Sequence, residues 1–120
     1  MAKKILIIDD EEQIVTMLDN ALTDLGYEVY HTTEALRALD AMREHEPDIV
    51  LLDMMMPYLD GTDELQLMRL VQKNTPVVII TAHPEVRDHE EEYRNLGVRE
   101  ILMKPFGMND LLNIIETILR

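Results

Sequence analysis

Four short apolar runs recur along the chain with helical patterns between them: Ile5-Leu6-Ile7-Ile8, Ile49-Val50-Leu51-Leu52, Val77-Val78-Ile79-Ile80 and Ile101-Leu102-Met103. A run of this kind has no polar face to offer water, so it reads as a strand covered on both sides, the habit of parallel sheets. A fifth segment, Tyr27 to His31, alternates Tyr27 and Val29 with polar residues and reads as an edge strand. Helical spacing fills the gaps. Ile14, Leu18, Ala21 and Leu25 line one face, with Gly26 as the stop, and Leu36, Leu39 and Met42 make a second stripe ending near Pro47. A third helix follows Gly61 with Leu65, Met68 and Val71 or Gln72 as its spacing, before Asn74 and Pro76 break it. Residues 108–119 carry a wide apolar face of Leu111, Leu112, Ile115, Ile118 and Leu119. The segment from Glu85 to Leu96 has only Val86, Tyr93 and Leu96 as a stripe and is the weakest of the five helices.

The pattern is therefore β-α five times over. Right-handed crossovers put helices on both faces of such a sheet, and the flavodoxin-like doubly wound order 2-1-3-4-5 is the expected α/β architecture. With 120 residues the chain has the length of one domain, and no linker, repeat or low-complexity tract divides it. Twenty-four acidic against 11 basic residues give a net charge of −13, which repels phosphate backbones and anionic membrane surfaces, so neither nucleic acid nor membrane is an expected partner. The absence of cysteine excludes disulfides, thiol catalysis and thiolate metal sites. No long apolar stretch or signal-peptide layout occurs, and a cytoplasmic location is the expectation.

In a doubly wound sheet the ligand crevice lies beyond the carboxyl ends of the strands, where the strand order reverses. The first strand runs into Asp9 and Asp10, the third into Asp53, the fourth into Thr81 and the fifth into Lys104-Pro105. Polar residues at strand ends are ordinary one at a time, but five of matched chemistry on one rim are not. Three carboxylates about 4–5 Å apart repel by several kcal/mol per pair at an effective dielectric near 20, a conflict that a hard cation resolves. Oxygen ligands without His or Cys suit Mg²⁺, with Mn²⁺ as an alternate occupant. A lysine and a hydroxyl on the same rim can meet phosphoryl oxygens. These groups describe a phosphoryl-transfer site in which Asp53, alone on a central strand, is the acceptor and the Asp9-Asp10 pair binds metal.

The stretches Ile7-Ile8-Asp9-Asp10-Glu11, Asp53-Met54-Met55-Met56-Pro57-Tyr58-Leu59-Asp60-Gly61, Thr81-Ala82 and Lys104-Pro105-Phe106 resemble a response regulator receiver domain of two-component signalling, similar to chemotaxis regulators, over essentially all of residues 1–120. The resemblance implies that Asp53 accepts a phosphoryl group from the phosphohistidine of a sensor histidine kinase or phosphotransfer protein. It further implies that Asp10 binds Mg²⁺ directly and Asp9 mainly through water, that Met55 adds its backbone carbonyl, and that Thr81 and Lys104 contact the phosphoryl oxygens. The Lys104-Pro105 bond is then cis. Such a domain is regulatory and assists its own phosphorylation and dephosphorylation without being an enzyme. Its face of helix 4, strand 5 and helix 5 repacks to address an output domain, a target protein or a second copy, and the kinase docks around helix 1.

The chain departs from the pattern at Ile101, where many relatives carry an aromatic residue three positions before the lysine. An isoleucine has no ring to swing inward. Side chains at Met55 and His83 border the site in the family and tune how fast water removes the phosphoryl group. Met54, Met55 and Met56 read as gap-filling core and loop residues rather than a sulfur metal site, since thioethers select soft metals, and His31, His45 and His89 read as surface positions. A pseudo-receiver that works through constitutive contacts is the alternative, disfavoured by the intact Asp9, Asp10, Asp53, Thr81 and Lys104. A flavodoxin would need a hydroxyl- and Gly-rich phosphate loop where this chain has Asp9-Asp10-Glu11-Glu12, and a haloacid-dehalogenase-type phosphatase would need an Asp-x-Asp motif there.

Overall fold

The computed structural model describes residues 2–54, 61–72 and 74–120. The chain alternates strands and helices as β1 (Lys4–Ile8), α1 (Glu12–Asp24), β2 (Glu28–Thr32), α2 (Ala38–His45), β3 (Ile49–Leu52), α3 (Gly61–Val71), β4 (Val77–Thr81), α4 (Glu90–Asn95), β5 (Val98–Met103) and α5 (Met108–Leu119). Short 3₁₀ turns, Ala35–Arg37 and Pro84–His89, lead into α2 and α4. All strand pairings are parallel, and the sheet order is β2-β1-β3-β4-β5. The expected (βα)₅ sandwich is the observed fold.

Period-two alternation splits the core into two layers. Leu6, Ile8, Val50, Leu52, Val77 and Ile79 pack toward Ala38 and Met42 of α2, Leu65 and Met68 of α3 and Tyr93 of α4. Ile5, Ile7, Ile49, Leu51, Val78 and Ile80 face Val15, Leu18 and Leu22 of α1 and Leu111 and Ile115 of α5. The apolar runs Ile5–Ile8, Ile49–Leu52 and Val77–Ile80 thus feed both layers, which is why none of them is interrupted by a polar residue. Each fully buried Ile or Leu contributes about 1.5–3 kcal/mol of transfer free energy. β2 and β5 lie at the edges and are only partly covered.

Three helical faces differ from the sequence pattern. α1 buries Val15, Leu18 and Leu22, while Leu25 lies beyond its end and is exposed, with Gly26 at φ 95° turning the chain. Leu36 falls in the first 3₁₀ turn and points to solvent, because the tighter turn rotates the next inward positions onto Ala35 and Ala38. The segment expected as one helix from Glu85 to Leu96 is a 3₁₀ turn followed by a six-residue helix. Its sparse stripe of Val86, Tyr93 and Leu96 gives a continuous α-helix too little apolar area to cover.

Candidate functional site

Parallel registry brings the carboxyl ends of the strands to one rim. Ile8 pairs with both Thr32 and Leu52, so the residues that follow β1 and β3, Asp9 and Asp53, leave the sheet side by side. The ladder continues one step past the strands: Asp9 N–H donates to Thr32 O at 3.2 Å, Asp53 N–H to Ile8 O at 2.8 Å and Lys104 N–H to Thr81 O at 2.7 Å. These bonds fix the backbone of three site residues before any side chain is placed.

Asp9 and Asp53 are buried and Asp10 is exposed, yet one carboxylate oxygen from each lies within 4.8 Å of the others. Asp9 Oδ1 accepts the Glu11 N–H at 2.9 Å, which turns the chain from β1 into α1. Its Oδ2 is buried and is paired with Lys104 Nζ at 2.9 Å. Lys104 Nζ also donates to Glu11 Oε1 at 2.6 Å and to Asp53 Oδ2 at 3.5 Å. Burial alone would lower the lysine's pKa; Glu11, Asp9 and Asp53 together override it and hold the ammonium above its ordinary value.

Thr81, fully buried at the end of β4, accepts the His83 N–H on its hydroxyl at 3.1 Å. His83 itself is exposed and pairs through Nδ1 with Glu85 at 3.2 Å. The Lys104-Pro105 peptide is cis, as the resemblance to receiver domains implies. Ile101, three residues earlier, is buried in the layer with α2, α3 and α4. The Met55 carbonyl, and with it Met56, Tyr58, Leu59 and Asp60, lies outside the described residues. Met54 is buried in the core.

The donor set fits a hard divalent cation. It is all oxygen, and it combines two buried carboxylates with one open to solvent. His31 pairs with Asp19 and His45 stacks on Tyr30 at 3.7 Å between ring centroids. His89 pairs with Glu92, so no histidine adds to the acidic group. Glu11 is the site residue that sequence reasoning missed. Its partner is 93 positions away, and no local pattern signals that contact.

The family model of the response regulator receiver domain matches residues 5–116. The chain belongs to the response regulator receiver family. It is 34% identical to sporulation initiation phosphotransferase F of Bacillus subtilis over 97% of this chain and 93% of that protein. It is 35% identical to the alkaline phosphatase synthesis transcriptional regulatory protein PhoP of the same organism, of which it spans half the length. Among solved structures, a CheY-like receiver domain protein from Methanospirillum hungatei superposes with a TM-score of 0.90 at 26% identity, over 98% of this chain and 93% of that one. The receiver fold is thus that of response regulators.

Proposed function

We propose that this receiver domain is a phosphoacceptor: Asp53 takes a phosphoryl group from the phosphohistidine of a sensor histidine kinase or a phosphotransfer protein in a Mg²⁺-dependent reaction. The observation that carries this reading is the convergence of Asp9, Asp10, Asp53 and Lys104 on one rim, from three strand ends. An Asp53 carboxylate oxygen attacks phosphorus, the phosphorus–nitrogen bond to the imidazole breaks with its electron pair left on nitrogen, and an acyl phosphate results. When bound, Mg²⁺ (or Mn²⁺) supplies positive charge that neutralises the carboxylates and the incoming phosphoryl oxygens. Asp9, Asp10 and Asp53 would hold it, with the Met55 carbonyl as a further ligand. The Lys104 ammonium would pair with a phosphoryl oxygen, and the Thr81 hydroxyl would donate to another.

Modification would then shift the population of the face made by α4, β5 and α5, and so control an output domain, a target protein or a homodimer. Ile101, buried in place of an aromatic residue, gives that shift no ring to rotate. The protein acts inside the cytoplasm, where its kinase and phosphate donors are found. The test is direct. Incubation with acetyl phosphate and Mg²⁺ should add one phosphoryl group by intact mass, chelator should prevent it, and Asp53→Asn should gain none; a wild type that gains no mass removes the reading.

A further inference from the structure

The nearest partner of Lys104 is not one of the three aspartates. Nζ lies 2.6 Å from Glu11 Oε1, 2.9 Å from Asp9 Oδ2 and 3.5 Å from Asp53 Oδ2. The side chain of Glu11 is 57% exposed, whereas those of Asp9 and Asp53 are 3% and 6% exposed. Glu11 can therefore swing into water at small desolvation cost, and the aspartates cannot. Its backbone is nevertheless anchored, because its N–H is bound to Asp9 Oδ1 and its carbonyl accepts the Val15 N–H at 3.1 Å. A fixed main chain with a free carboxylate arm makes a reversible clamp on the lysine.

We propose that Glu11 is a positioning residue that holds the Lys104 ammonium toward the mouth of the site while Asp53 is unmodified, and yields it when Asp53 carries a phosphoryl group. The proposal rests on the phosphoacceptor reading. The acceptor carboxylate has one negative charge, and a phosphoryl group on it brings nearly two, so the lysine changes partner only when the second anion outweighs the first. Glu11 thereby weakens the hold on phosphoryl oxygens and sets the threshold at which the lysine moves. The contact is partly screened by solvent, which limits its effect to about two- to fivefold in affinity.

Beryllofluoride with saturating Mg²⁺ mimics the phosphoryl group, and its dissociation constant can be read by amide NMR titration. Glu11→Gln, an exposed and isosteric change, is expected to bind it about two- to fivefold more tightly than wild type. On a Lys104→Met background the same substitution should change nothing. A Glu11→Gln variant that binds no more tightly than wild type, or a gain that persists without Lys104, overturns the positioning role and leaves the phosphoacceptor reading standing. A wild type that binds no beryllofluoride overturns both.

Discussion

Gly97 closes the turn between α4 and β5 at φ 97°, and a Cβ there would stand 2.8 Å from Arg69 Cζ and Nη1. Arg69 is half-buried and its Nη2 donates to Thr75 O at 2.6 Å, so its guanidinium cannot retreat freely. Gly97→Ala therefore combines a left-handed backbone with a steric contact and should cost about 2 kcal/mol in urea unfolding. Glu64, in the first turn of α3, shows the opposite case. It is buried, its Oε1 has no hydrogen-bond partner among the described residues, and burial raises its pKa. A carboxyl whose folded pKa lies above the unfolded one takes up a proton on folding, so stability is lost as pH rises through the folded value. Glu64→Met should raise unfolding free energy at pH 7 by about 1 kcal/mol, and the gain should shrink toward pH 4 as the wild-type carboxyl is protonated.

At the level of elements, the open edge of the sheet is sealed by charge. Arg87 Nη2 donates to Ile101 O at 3.1 Å and Arg94 Nη1 to Arg99 O at 2.7 Å, both on the unpaired side of β5. Glu90 holds the two arginines, with Oε1 on Arg87 and Oε2 on Arg94, each at 3.2 Å. Glu90→Ala should speed amide exchange across Pro84–Asn95 about two- to fivefold while changing global stability by less than about 0.5 kcal/mol, since such pairs are solvent-exposed. This region was also the least legible in the sequence. The strands announce themselves because full burial forbids polar residues, and Asp9, Asp10, Asp53, Thr81 and Lys104 are found by where those strands stop. The short helix α4 draws its anchorage from Arg87 and Arg94 reaching backbone carbonyls, a contact that leaves no periodicity. Ala35 and Ala38 were likewise hidden, since small residues under a close-packed helix carry little hydrophobic signal.

For the whole molecule, the surplus of acid sets how metal and stability are linked. Bringing Asp9, Asp10 and Asp53 within 4.8 Å in a chain of net charge −13 stores repulsion that a divalent cation relieves. Thermal unfolding should show Mg²⁺ raising the melting midpoint of wild type. Asp10→Asn should melt higher than wild type in chelator and lose most of the Mg²⁺-dependent gain. Among the described residues no helix is long and apolar enough to cross a membrane.

The site is also drawn from widely separated stretches of chain: the first strand leads into Asp9 and Asp10, the middle one into Asp53, and the last one into Lys104. During synthesis β5 is the final strand to emerge, and it must pair with β4 before Lys104 can reach its partners. Detachment of the last strand would take the Lys104 ammonium away from Asp9 and Asp53, so the charge balance of this rim depends on the edge pairing of the sheet.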